Sequence, residues 1–248
     1  MNIRKSSLAA VLSLMIVPGL SAAQEGEWLV APYIWATDVS WDLAERGSGG
    51  VSFSNIVDKL DGAGLIRIEY ARNKIGFTLD YIGMSISDGT RISTPGPIPV
   101  DIGIRADMDL TILEVGVFYR PSASDSGFDF LFGIRDVGND ATLMVTPTNS
   151  PTQRIDANSG FTDVLLGARY LHRLTDRWDF SVRGDYGFGD SDGMLNLSAG
   201  VGWRTAGTFG MQLIYRHMAI EFDQRVDGAA VTSELDMSGP MLGFLFRF

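Results

Sequence analysis

The chain contains no cysteine and only two histidines, His172 and His217, among its 248 residues. Without cysteine there is no disulfide scaffold and no thiol chemistry. Long apolar runs are also missing. The longest, Leu8 to Val17, falls short of the roughly 20 residues a transmembrane helix needs, so a helical membrane protein is excluded. Cations are scarce as well. Twenty Lys and Arg face 30 Asp and Glu, a formal charge of −10, which argues against a nucleic-acid partner that would want a basic face.

What is present begins with an export address. Arg4 and Lys5 precede the short apolar run, Pro18 and Gly19 break it, and Ser21-Ala22-Ala23 offers the small residues of a cleavage site. Cleavage after Ala23 is expected, with residues 1–23 as signal peptide and 24–248 as one domain. Composition alone leaves a soluble periplasmic protein open, since 45% hydrophobic residues is ordinary.

The remainder is organised by a period of two. From Trp178 to Phe188, the residues Trp178, Phe180, Val182, Gly184, Tyr186 and Phe188 alternate with Asp179, Ser181, Arg183, Asp185 and Gly187. Leu195, Leu197, Ala199, Val201 and Trp203 alternate in the same way with Asn196, Ser198, Gly200, Gly202 and Arg204. Ten such strands are read near 27–43, 63–72, 75–87, 108–120, 128–137, 160–174, 177–189, 194–205, 208–223 and 235–248. Eight or twelve remain open. Short turns alternate with longer polar connections at 44–62, 88–107, 138–159 and 224–234, the rhythm of a bacterial barrel with both ends in the periplasm. Alternation would also suit a soluble sandwich. Aromatic placement breaks the tie: Tyr70, Tyr119, Tyr170, Trp178, Trp203 and Phe209 fall near the short-turn ends, where an interfacial girdle belongs. The expected class is therefore all-β, a closed antiparallel transmembrane barrel in the bacterial outer membrane.

The last strand carries Leu242, Phe244, Phe246 and Phe248 on one face and ends in phenylalanine. This resembles the signal that outer-membrane barrels present to the barrel-assembly machinery during insertion. Further stretches also resemble a family: Ala31-Pro32-Tyr33-Ile34-Trp35-Ala36, Ser52 to Leu60, Gly167-Ala168-Arg169-Tyr170, Arg183-Gly184-Asp185-Tyr186-Gly187, and Ser238-Gly239-Pro240-Met241-Leu242-Gly243. Together they are similar to the small porin-like outer-membrane barrels of the OmpA-type superfamily. That resemblance implies a fold and a membrane, and no catalytic residue. Asp136 departs from it, standing where an aromatic is expected.

Parity places many charges on the inner face. A lumen network of Asp80, Glu114, Arg135, Arg169, Arg183, Asp185, Arg204 and Arg216 is expected, since unpaired charges in a narrow lumen are costly. Towards the long-loop end the inner face turns apolar, with Ile82, Met84 and Ile86, Met108, Leu110 and Ile112, Met218, Ile220 and Phe222, then Leu235 and Met237. In the strand near 108–120 the apolar parity switches at Leu110-Thr111, implying either a bulge or a strand that projects past the membrane. A short helix capped by Ser54, with Ile56, Val57 and Leu60 on one face, is a candidate plug.

No catalytic, cofactor or metal site is read. Both histidines fall on the outward face with no serine two residues further on, and no nucleophile elbow is read. Asp190 and Asp192 flank a serine in a glycine-bounded turn, which is ordinary turn chemistry. The expected function is structural or weakly porin-like. The alternatives are a barrel that takes a small apolar ligand through its upper lumen, and an adhesin-like surface protein acting through acidic loops. The partners expected are membrane lipid and lipopolysaccharide, with no cofactor.

Deleting Phe248 should lower the amount of membrane-inserted, heat-modifiable protein in cells more than shortening any loop does. Normal insertion of the truncated chain, measured by gel mobility before and after heating, would count against the terminal signature.

Overall fold

The computed structural model describes residues 26–43, 47–51, 60–94, 100–122, 126–147, 151–226 and 229–248, so the expected signal peptide and the candidate plug over 52–59 lie outside it. Every element among the described residues is a strand: β1 (Glu27–Trp35), β2 (Asp38–Leu43), β3 (Gly47–Val51), β4 (Leu60–Arg72), β5 (Ile75–Thr94), β6 (Val100–Tyr119), β7 (Gly127–Pro147), β8 (Gln153–Arg173), β9 (Trp178–Gly189), β10 (Gly193–Arg204), β11 (Phe209–Val226) and β12 (Ala229–Arg247). Ten of them, β1 and β4 to β12, pair in chain order, and β1 pairs with β12 to close the barrel. Leu29 opposes Arg247 and Trp35 opposes Met241 in that closing ladder.

The turns at one rim are tight. Arg72 and Ile75 bracket Asn73-Lys74, and Asn73 takes the left-handed conformation (φ 58°) that a two-residue hairpin demands and that asparagine tolerates. Short turns face the periplasm in bacterial barrels, so this rim is the inner one.

The first strand read over 27–43 is broken at Ala36-Thr37 into β1 and β2. Pro32 has no N–H to donate, and the β1–β4 ladder runs only from Glu27↔Ala71 to Pro32↔Ile66. β2 continues along β12 and takes β3 as its other neighbour.

Several stretches expected as loops are strand. β5 and β6 pair out to Thr94↔Val100, β7 and β8 to Val145↔Gln153, and β11 and β12 to Val226↔Ala229. A strand rises roughly 3.3 Å per residue and tilts by about 40°, so 20 residues reach about 50 Å, twice the apolar band of about 25 Å. Outside that band the strand needs no apolar face, and the sequence there looks like loop. The same fact explains the parity switch in β6. Its register against β5 is unbroken through Leu110 and Thr111, and the inner face stays on Leu110, Ile112, Glu114, Gly116 and Phe118 throughout. The strand projects; it has no bulge. The register shift that does occur lies in β4, between Leu60 and Gly62.

The outward face is apolar where lipid would be. Phe128, Phe130, Phe132 and Ile134 are each more than half exposed, as are Leu213 and Tyr215. At the inner rim Trp28 meets Tyr70 (ring centroids 4.8 Å), Phe128 meets Tyr170 (4.9 Å) and Phe209 meets Phe246 (5.7 Å). Trp178 and Trp203 are cross-strand partners at the same level. A closed barrel that is apolar outside, polar inside and ringed with aromatics is solvated by a bilayer.

Val182 points out and Ser181 points in. A Val182→Arg change should cost roughly 2–4 kcal/mol at mid-membrane and suppress folding into bilayers, while Ser181→Arg should retain most of it. Equal folded fractions by heat-modified mobility would overturn the facing assigned to β9.

Candidate functional site

The lumen is filled in layers. Antiparallel pairing sets Arg67, Asp80, Glu114, Arg135 and Asp163 directly opposite one another on β4 through β8. This places charge of both signs around half the circumference, with the two acids Asp80 and Glu114 side by side and an arginine on either flank. From the far side β9 contributes Arg183 and Asp185, and β11 contributes Arg216. Arg135 sends Nη2 to both Glu114 (2.7 Å) and Asp185 (2.6 Å). Arg183 reaches the same two acids, with Nη2 on Glu114 (2.6 Å) and Nε on Asp185 (2.7 Å). Each of these four side chains is at least 96% buried. Two cations and two carboxylates thus form a closed square, which repays desolvation better than isolated pairs do. Gly167 makes this possible, because a Cβ there would collide with the side chain of Asp185.

A second cluster adjoins it. Asp80 accepts from Arg67 Nη2 (2.8 Å), Arg216 Nη1 (3.3 Å) and the Tyr33 hydroxyl (2.7 Å). Asn196 joins the clusters, donating to Asp185 (2.7 Å) and accepting from Arg216 Nε (2.9 Å). Arg216 also lies over the Trp35 ring at 5.1 Å.

Of the eight residues expected in one network, Asp80, Glu114, Arg135, Arg183, Asp185 and Arg216 come together. Arg169 and Arg204 do not join them. Arg169 belongs to a lower tier with Glu69 (2.6 Å) and Asp129 (2.8 Å), where Arg120 also grips Asp129 (2.7 Å). Arg204 pairs with Asp179 (2.7 Å) nearer the inner rim. Tyr33 and Asn196 were missed, because a search confined to ionisable groups passes over the neutral donors that bridge them. Their parity on inward positions was the available clue.

Above the charges sits an apolar layer of Trp35, Ile82, Met84, Leu110, Ile112, Val137, Met194, Met218, Ile220 and Met237, all buried, with Leu235 and Phe222 packed against it. Of the expected upper-lumen residues all but Ile86 and Met108 lie here; those two are only half-buried, one step further out along β5 and β6. Further out, Asp107 accepts from Ser87 Oγ (2.7 Å) and Arg105 Nε (3.0 Å), and those two bonds hold its carboxyl below the usual range. Asp136 faces outward and accepts from Thr162 Oγ1 (2.7 Å), a polar pair where an aromatic was expected.

Two arrangements bear on catalysis. Gly189-Asp190-Ser191-Asp192-Gly193 does have the G-x-S-x-G spacing, contrary to the reading that no elbow exists. It forms a hairpin turn between β9 and β10 with no helix to follow, and buried Ser191 gives its hydroxyl to Asp163 (2.5 Å). On the outward face Ser238 is the cross-strand partner of His217, and Asp236 lies 4.0 Å from His217 Nε2. Searching each histidine's own strand could not find these neighbours. That spacing exceeds a hydrogen bond, and the flanking backbone N–H groups serve sheet ladders, so none is aimed as an oxyanion donor. Among the described residues no group of three His, Asp or Glu is placed to hold a metal.

No family model matches the sequence, and no curated protein matches it. Among solved structures, the outer-membrane protease OmpT of Escherichia coli is 9% identical, with 93% of this chain and 99% of that one covered at a TM-score of 0.48. The translocator domain of the autotransporter NalP of Neisseria meningitidis is 10% identical over 91% and 90%, at 0.43. The attachment invasion locus protein Ail of Yersinia pestis is 10% identical over 91% and 100%, at 0.35. Likenesses at this level carry no functional argument. The closed wall, its apolar exterior and its charged interior identify the chain as a ten-stranded β-barrel of the bacterial outer membrane.

Arg135→Met would leave Glu114 and Asp185 sharing one cation in a dry interior. It should lower folding stability by about 3–5 kcal/mol, whereas Arg105→Met on the exposed extension should stay within about 0.5 kcal/mol. Denaturant titration in detergent micelles distinguishes the two.

Proposed function

We propose that this chain is a closed, non-conducting barrel whose role is to anchor tall β-hairpins at the cell surface. One observation carries the reading: the square of Arg135, Glu114, Arg183 and Asp185 spans the lumen almost fully buried, with a packed apolar layer above it. A pore needs its charged groups wetted along a continuous path. An apolar ligand would need space that Met194, Met218, Ile220 and Met237 fill with their own side chains. The enzyme reading has no assembled nucleophile, base and oxyanion donor to rest on. The proposal includes removal of residues 1–23 and a mature barrel over 24–248, with lipopolysaccharide around its outer half and Leu242, Phe244, Phe246 and Phe248 as the assembly signature.

The surface-acting alternative has its own support. β5, β6, β7 and β8 run 20 to 21 residues, and β11 and β12 run 18 and 19, well beyond the 9–11 or so that cross a bilayer. Ordered strand above the membrane is costly to build unless something is presented on it. Anchor and surface protein are compatible roles.

Purified, refolded protein in planar bilayers should give no steady single-channel conductance, and Arg183→Met should lower stability without creating one. Steady conductance from the unaltered chain, with ion selectivity shifted by Arg183→Met, overturns the closed barrel and makes it a porin.

A further inference from the structure

Below the charged square the lumen opens into a cavity of about 200 Å³ at the inner rim. Seven arginines and three acids line it. The imbalance does not come from missing counter-ions, since Arg67, Arg120, Arg169, Arg183, Arg204 and Arg247 each have an acidic partner. It comes from where those partners stand. Asp129 and Asp185 have fully buried side chains, and those of Asp80 and Glu114 are 2% exposed. Those four sit behind the guanidiniums, and Glu27, Glu69 and Asp179 share the lining with them. Arg120, Arg204 and Arg247 keep roughly a quarter of their side-chain surface open (26%, 23% and 24%). A solute entering from the periplasm therefore meets seven guanidiniums against three carboxylates.

The guanidiniums are also fixed. Arg120 and Arg169 both lie over the Phe118 ring, at 5.6 Å and 5.2 Å, which holds their planes while their outer edges stay available. Arg120 spends Nε and Nη2 on Asp129, leaving Nη1 uncommitted to that carboxylate. At the mouth Arg247 has a loose partner, Glu27 at 3.5 Å with 63% of its side chain exposed, and it feels the like charges of Arg204 and Arg173. Cations crowded this way in a low-dielectric recess focus a positive potential. Planar forks with free N–H edges suit the oxygens of a phosphate group, which they can grip two at a time.

We infer that this vestibule is a binding site for a small, multiply charged anion of the phosphate class, received from the periplasmic side. Its dead-end character rests on the closed-barrel reading, because Arg183 and the square above it form the floor. The binding itself does not. Seven arginines around the lumen of a closed wall would be an anion constriction if the barrel conducted, and conductance and binding are measured separately.

The experiment is calorimetric titration of the refolded full barrel in non-ionic detergent with inorganic pyrophosphate, at fixed ionic strength set by sodium chloride. Nitrate and citrate are run as comparison anions. Saturable one-site binding of pyrophosphate at least tenfold tighter than nitrate is expected. The double variant Arg204→Gln, Arg247→Gln, at the partly exposed mouth, should weaken it at least tenfold while heat-modified mobility stays unchanged. Arg105→Gln on the outer extension should leave it as it was. If the double variant does not refold, added chloride should compete pyrophosphate off the unaltered barrel in a concentration-dependent way. Absence of saturable binding, equal affinity in a folded double variant, insensitivity to chloride, or tighter binding of citrate than of pyrophosphate would each overturn the assignment.

Discussion

Every backbone N–H and C=O exposed to hydrocarbon must find a partner within the protein, and in this molecule that requirement is met only when β1 finds β12. The closing ladder ends in a reciprocal pair: Trp28 N–H donates to the Phe248 carbonyl (3.1 Å), and Phe248 N–H donates to the Trp28 carbonyl (3.0 Å). All other barrel ladders join strands adjacent in sequence, or β1 to β4 across the β2–β3 hairpin. Closure fixes the circumference at ten strands, and the circumference fixes how far apart facing side chains stand. Arginine paired with a carboxylate is long enough to cross that distance, and aliphatic side chains fill it higher up. The charge square and the apolar layer are both answers to the width that closure imposes.

The ion pairs then act on the wall in return. Ladders tie each strand to its neighbours and resist sliding, but they do little against flattening of the cylinder. Arg183 to Glu114 joins β9 to β6, Arg169 to Glu69 joins β8 to β4, and Arg216 to Asp80 joins β11 to β5. These are braces between strands that share no ladder. Buried ion pairs are weak evidence for net stability, since their desolvation offsets much of the attraction. Their geometry nevertheless selects one cross-section. A slip of one residue in any of these strands would turn its charges into lipid, so the network also specifies register.

Inside the membrane the sequence is readable because two solvents act on alternate residues. Val182 and Arg183 cannot exchange roles, and the period of two shows it. The same logic exposes the facing of β9 and β10, the aromatic rim and the apolar residues of the upper lumen. Above the bilayer both faces of a hairpin meet water, the alternation fades, and paired strand such as Asp140 opposite Asn158 reads as loop. Three-dimensional neighbours are hidden for a different reason. That Tyr33 meets Asp80, or that Ser238 faces His217, depends on register between strands far apart in the chain. Residue type and parity limit such contacts to a few levels, and only the ladders choose among them. The motif at Ser191 shows the reverse case: its spacing is legible, and its meaning is set by the hairpin that contains it.

The wall is not of even height. β9 and β10 are 12 residues each and turn back at Gly189–Gly193, a rise of about 30 Å that ends near the membrane surface. Their neighbours β8 and β11 continue well past that level. Among the described residues the outer end is therefore less a ring than a palisade with a gap, like a collar left open on one side. Through that gap the inner faces of the flanking hairpins look sideways, parallel to the membrane, instead of straight up. Whatever approaches the low side meets a concave sheet surface at headgroup level, so the molecule has a front and a back in the plane of the membrane.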